Sequence, residues 1–169
     1  MSETKSEITP FWRFSLHFYK QAGVSDACIK LQDDCGVDVN LLLYLFWLAS
    51  DGRQLTADEV KNLDGKVKSW RELTIIPIRD TRRKLKGAAT LLDPKRQEAF
   101  RDKVKAVELE AERLQQEALY EFTKSGPLGK AAPQREAARA NVDALESAVA
   151  KSFPKPAVDV LIGGFNSAI

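Results

Sequence analysis

Apolar side chains recur every three or four positions along nearly the whole chain from Thr9 to Phe153, a spacing that predicts helices. A capping box at Thr56–Glu59 and the cap-and-proline pair Asp93-Pro94 mark two of the helix starts. Pro77 disfavours a helical conformation at the residue before it and predicts a break or kink there. The pattern as a whole predicts an all-α fold.

The predicted helices fall into three parts. Residues 9–92 form a compact multi-helix body around the run Val39–Ala49, which is apolar on all sides. Residues 93–153 carry apolar side chains at near-heptad spacing on both sides of a turn at 125–129, which predicts a long C-terminal antiparallel helical hairpin. Residues 154–169 are an apolar tail. The stripe of the first hairpin helix consists of Phe100, Val104, Val107, Ala111, Leu114, Ala118 and Phe122. Because such a stripe is buried within the hairpin or against a second chain, the pattern allows a monomer or a homodimer.

Composition restricts the class of protein. The 169 residues are 44% hydrophobic and 30% charged, which excludes a disordered chain, a disulfide scaffold and a low-complexity sequence. The longest apolar run, Leu41–Ala49, is too short to span a bilayer, and the first nine residues lack the pattern of a signal peptide. Cys28 and Cys35 are two helical turns apart, too far to form a disulfide. We therefore expect a cytoplasmic protein that does not contact a membrane.

Charge is concentrated in the middle of the chain. Residues 61–105 hold 14 basic and 6 acidic residues, whereas residues 1–60 hold 5 basic and 9 acidic residues. Four of the basic residues follow one another at helical spacing and share one helix face: Arg79, Arg82, Arg83 and Lys86. Such a face suits an acidic protein partner or, less well, nucleic acid, since no nucleic-acid recognition motif accompanies it. It can also pair with the acidic first segment of the same molecule.

An acidic cluster offers a second candidate site. Asp33, Asp34 and Asp38 lie near a predicted helix end, where carboxylates could hold Mg²⁺. The other interpretation is structural, with Asp38 capping the next helix and the other two aspartates in solvent or bound to the turn.

The first half of the chain resembles a known protein family. The residues that carry the resemblance are Phe11-Trp12, Phe14-Ser15-Leu16, Tyr19, Gly23-Val24, Ala27-Cys28, Leu31-Gln32-Asp33, Gly36, Asp38–Leu43, Trp47-Leu48, Trp70, Pro77-Ile78-Arg79, Arg82-Arg83 and Leu85-Lys86. They are similar to a family of short proteobacterial proteins that is known as a domain of unknown function, and the similarity covers residues 10–90. It implies a bacterial protein and brings no catalytic residue or cofactor.

The function that these observations favour is non-catalytic. His17 is the single histidine and has no positioned partner, and neither cysteine has metal-ligand spacing. We expect an interaction or adaptor protein that binds its partner through the basic face or through the hairpin, and we expect no cofactor. The alternatives are a magnesium-dependent enzyme or metal-binding module at the acidic cluster, and a nucleic-acid binder.

Overall fold

The computed structural model describes residues 8–87 and 93–169. It confirms the all-α fold class. The helices are α1 (Pro10–Tyr19), α2 (Val24–Cys35), α3 (Val39–Ser50), α4 (Ala57–Trp70), α5 (Ile76–Leu85), α6 (Pro94–Thr123), α7 (Gln134–Val149) and α8 (Lys155–Ala168). Two short strands, β1 (Arg53–Gln54) and β2 (Lys130–Ala131), form an antiparallel pair. Among the described residues, no helix is both long and apolar enough to cross a membrane.

Helix α3 is the centre of the core, as its sequence predicts. Nine of its residues are buried, and it contacts α1, α2, α6 and α7. Its aromatic rings join α1 and α8 to the core, because the ring of Phe46 lies 4.8 Å from that of Phe18 and 5.4 Å from that of Phe165. These tilted rings bury large areas of apolar surface at one site.

The two helix starts predicted at Thr56 and Asp93 are confirmed, and Thr9 caps α1 in the same way. The hydroxyl of Thr9 accepts a hydrogen bond from the Trp12 amide at the start of α1, and the capping box of α4 forms between Thr56 and Glu59. The side chain of Asp93 caps α6. Each of these oxygens satisfies amide groups that the first turn of a helix leaves without a partner.

The irregularity expected at Pro77 takes the form of a π-helical turn, Arg71–Ile75, which joins α4 to α5. Ile76 remains helical, in contrast to the expectation for a residue before proline. The wider turn accommodates the proline, since Pro77 falls within the first turn of α5, where its missing N–H is not needed.

The C-terminal part differs from the predicted hairpin in its packing. Helix α6 packs along α5 and also contacts α3, α4 and the π-helical turn, whereas α7 packs against α3 and α4. The two helices do not bury a shared seam, since Phe100, Val107 and Leu114 are between 40% and 55% exposed. The apolar tail is helix α8, which packs on α2 and α7.

Candidate functional site

Helix α6 presents polar side chains to the rest of the protein. Gln116, 3% exposed, accepts a hydrogen bond from the Ser15 hydroxyl at 3.0 Å and donates its amide to Asn40 Oδ1 at 2.9 Å. These three buried side chains belong to α6, α1 and α3. Because buried polar groups are costly without partners, the chain of hydrogen bonds fixes how the three helices meet.

Asp38 connects the start of α3 to two other helices. Its Oδ1 accepts the backbone amide of Asn40 at 2.9 Å, which confirms the predicted cap. Its Oδ2 accepts a hydrogen bond from Arg71 Nη1 at 2.6 Å and another from the side-chain amide of Gln115. Arg71 also donates to Asp64 at 2.8 Å, so both of its acidic partners lie within the same molecule.

The predicted basic face is largely paired inside the molecule. Arg79 and Arg82 of α5 both donate to the buried carboxylate of Glu108 on α6, with 3.0 Å from Arg79 Nε to Oε1. Arg79 also donates to Glu112 at 2.8 Å. Internal carboxylates therefore occupy these two arginines.

The other two members of the basic face remain accessible. Arg83 is about half exposed and contacts Asp33 on α2 at 2.9 Å. The side chain of Lys86 is exposed, with no partner among the described residues. The Arg83–Asp33 contact is an ion pair between the basic face and the acidic first segment, one of the alternatives that the sequence left open.

The acidic cluster is dispersed among three cations. Asp33 pairs with Arg83, Asp34 pairs with Lys30 at 2.7 Å, and Asp38 pairs with Arg71. Within the described ranges 8–87 and 93–169, no group of three His, Cys, Asp or Glu side chains is arranged to hold a metal ion. The structure thus joins the acidic cluster to the basic face through one ion pair, Asp33–Arg83, and the geometry lends no support to the metal hypothesis.

Both candidate sites border one pocket. This interhelical pocket, with a volume of about 430 Å³, lies between α1, α2, the start of α3, the π-helical turn with α5, and α6. Five of its apolar side chains are between 36% and 54% exposed: Leu16, Tyr19, Ile29, Ile76 and Leu109. Its charged lining consists of Arg71, Arg79, Arg83, Asp33, Asp38, Asp80 and Glu112.

The two glutamates that face α5 have different electrostatic environments. Burial acts to raise the pKa of Glu108, but the hydrogen bonds from Arg82 and Arg79 outweigh it and hold this pKa below its ordinary value. Burial raises the pKa of Glu112, and the single contact with Arg79 only partly compensates. Burial and nearby anionic groups, Glu112 among them, also raise the pKa of Tyr19 in the pocket wall.

The sequence pattern does not single out Glu108 and Glu112, because it predicts that α6 pairs with the other helix of the hairpin rather than with α5. One signal could have pointed to them. Arg79 and Arg82 are three residues apart, and Glu108 and Glu112 are four apart, so each pair shares a helix face of opposite charge. Two such faces on neighbouring helices are expected to meet.

The fold and the site define an all-α protein with an interhelical pocket bordered by internal ion pairs. A family model described as "Protein of unknown function (DUF2390)" matches residues 10–119, and the chain belongs to this family. The match extends beyond the region of resemblance seen in the sequence and includes most of α6, the helix that carries Glu108 and Gln116. No curated protein and no solved structure matches the chain.

Proposed function

We propose that the protein is a non-catalytic binding protein whose interhelical pocket takes an apolar chain that ends in a positive charge. The observation that carries this proposal is the pocket itself, in which accessible apolar side chains lie next to carboxylates. A volume of about 430 Å³ is within the range of pockets that bind small organic groups. Organic amines and lysine side chains of a partner protein share the required chemistry.

The charge of the lining favours a cation. Three arginines and four acidic residues face the pocket. Each arginine already donates to at least one carboxylate, and Arg71 and Arg79 each have two such partners. In contrast, Asp80 is exposed and has no partner among the described residues. Trp12 and Tyr19 add aromatic rings, which attract cations placed over their faces.

This proposal changes the role of the basic face. Ion pairs engage Arg79 and Arg82, so an acidic partner or a nucleic acid would meet chiefly Arg83, which lines the pocket, and the exposed Lys86. The interaction role expected from the sequence is kept, with the pocket as the site of contact. A cytoplasmic location is part of the proposal, and the two buried free cysteines support it.

The test uses three probes that share a six-carbon chain and differ in the head group: hexylamine, hexanol and hexanoate. Binding to the ¹⁵N-labelled full chain is followed by amide and indole shifts, with the indole N–H of Trp12 as the reporter in the pocket wall. We expect hexylamine to shift signals of Trp12, Tyr19 and Ile29 at lower concentration than hexanol, and hexanoate to bind most weakly. Nα-acetyl-lysine amide, in a separate titration, distinguishes a partner's side chain from a free amine.

A matched pair of variants tests the charge. Asp80→Asn should weaken hexylamine binding about threefold, as loss of one exposed ion pair predicts. Asp51→Asn removes the same charge from the end of α3, outside the pocket lining, and should leave binding unchanged. Preferential binding of hexanoate would overturn the choice of a cation and favour the acidic partner. Absence of shifts from all the probes would overturn the pocket as the binding site.

A further inference from the structure

The outward face of α6 carries an apolar stripe that the fold does not cover. Phe100 is 54% exposed, Val107 is 55% exposed and Leu114 is 40% exposed, and the three side chains are seven residues apart. Val104 and Ala118 lie on the same face, half-buried and exposed respectively. A sustained heptad stripe is typical of a helix that packs against another helix. We call this surface the α6 stripe.

Trp70 extends the α6 stripe on one side. Its indole N–H donates to the backbone carbonyl of Ala111 at 2.9 Å, and its ring remains 38% exposed. The other side of the stripe carries charged residues at the same seven-residue spacing. From the N-terminal to the C-terminal end these are Arg96, Lys103, Glu110 and Glu117.

Charge is segregated along the helix as a whole. Residues 94–106 include five basic and two acidic residues, whereas residues 107–123 include one basic and five acidic residues. A second copy of α6 in parallel orientation would place each charged half against a like half. In antiparallel orientation, the basic half of each copy faces the acidic half of the other.

We propose that the α6 stripe is the interface of a homodimer in which two copies of the chain pack their α6 helices antiparallel about a two-fold axis near residue 109. In this register Phe100 meets Ala118 of the second copy and Val104 meets Leu114, whereas Val107 lies opposite position 111, where the Ala111 side chain is only 5% exposed in the monomer. Lys103 faces Glu117 across the interface, and Glu117 also pairs with Arg113 of its own helix. The small, exposed side chain of Ala118 lies opposite the large ring of Phe100, which lets the two helices approach closely.

Glu110 approaches its own symmetry mate near the axis, which is the least favourable contact in this arrangement. Arg113 lies beside it and contacts Glu110 at 2.6 Å, so its positive charge reduces the repulsion. The interface is isologous, as expected for a two-fold dimer, and it needs no rearrangement of the core.

Sedimentation equilibrium of the full chain tests the proposal. We expect a concentration-dependent mass that approaches twice the monomer mass at about 100 µM. Val107→Glu should weaken self-association at least tenfold, because it places a charge in the centre of the stripe. Ala106→Glu makes a comparable change one residue away, at an exposed position outside the stripe, and should leave self-association nearly unchanged.

Charge exchange tests the orientation. Lys103→Glu and Glu117→Lys should each weaken the dimer, and the double variant should recover most of the loss, because it restores opposite charges across an antiparallel pair. Failure of the double variant to recover would overturn the antiparallel register. A chain that stays monomeric at about 100 µM, or a dimer that Val107→Glu does not affect, would overturn the proposal and leave the stripe to a different protein partner.

Discussion

The two faces of α6 reverse the usual arrangement of a helix on the surface of a protein. The face that packs on the body buries four polar side chains, each at most 6% exposed: Gln97, Glu108, Gln115 and Gln116. The opposite face exposes Phe100, Val107 and Leu114 to solvent. The difference shows that hydrophobicity alone did not decide which face was buried.

The neighbours of α6 supply the physical reason. Helix α5 presents Arg79 and Arg82 to the inward face, and α1 and α3 present Ser15 and Asn40. A buried carboxylate or amide is tolerated where its hydrogen bonds are satisfied, whereas a phenylalanine in place of Glu108 would leave Arg82 without its carboxylate partner and Arg79 with Glu112 alone. The inward face is therefore held by specific polar partners, and the outward face is left for another contact.

The largest change in folding free energy is expected from Glu108→Gln, at the centre of the inward face of α6. The substitution removes the shared negative charge between two arginines whose side chains are only 16% and 21% exposed. Loss of one partner from a buried ion pair costs about 3 kcal/mol of folding free energy. Urea unfolding monitored by circular dichroism measures the change.

Glu110→Gln is the matched control for this prediction. Glu110 lies on the outward side of the same helix and pairs with Arg113 in solvent, so its neutralisation should change stability little. Equal stabilities for the two variants would contradict the view that the inward ion pairs hold α6 in place.

Local signals in the sequence were sufficient to predict the helices. They were not sufficient to predict which helix faces pair with distant parts of the chain. Asp38, Thr56 and Asp93 cap the helices predicted for them, since a cap depends on residues within one turn. The hairpin prediction for α6 assumed that a stripe of regularly spaced apolar side chains is buried within the fold. The polar face is buried instead. Local spacing could not predict this, because the partners of that face come from segments up to 101 residues away, as in the Ser15–Gln116 hydrogen bond.

The candidate site was predictable in its parts and not in their arrangement. Charge and spacing identified Arg83 and Asp33 as site residues, and the structure places them in contact at the pocket rim. The pocket itself arises where α1, α2 and α5 meet, and no local pattern encodes that meeting. The tail was equally hard to predict. Its apolar residues alternate in part of the sequence, as in a strand, yet the segment is a helix that buries Val158 and Leu161 on one face.

A smaller change in folding free energy, opposite in sign to that of Glu108→Gln, is expected from Glu112→Gln. Burial raises the pKa of Glu112 in the folded protein, so its carboxyl group favours the fold when protonated, below its unfolded pKa. That contribution is lost as the pH rises through the raised folded pKa. At neutral pH the variant should therefore be as stable as the wild type or more stable, because Arg79 keeps Glu108 as a partner.

Comparison of the two proteins at pH 4 and pH 7 by urea unfolding checks the sign. The stability of the variant relative to the wild type should increase from pH 4 to pH 7. Glu108, whose lowered pKa makes it lose stabilisation as the pH falls, is present in both proteins and keeps its hydrogen bonds from Arg79 and Arg82, so the difference between them reports chiefly on Glu112. A variant that becomes relatively less stable at pH 7 would show that Arg79 requires the charge of Glu112.

The smallest change in unfolding free energy is expected at Phe100, although the hydrophobic pattern alone predicts a large one there. Phe100→Ser removes an aromatic ring from the apolar stripe of α6, yet the ring is 54% exposed in the monomer. At about 1 µM, where a weak dimer dissociates, we expect the unfolding free energy to change by no more than about 0.5 kcal/mol. Leu119→Ala, on the inward face and fully buried, should cost about 3 kcal/mol under the same conditions. A loss at Phe100 comparable to that at Leu119 would mean that the outward face is covered within a single chain, and the contrast between the two faces of α6 would disappear.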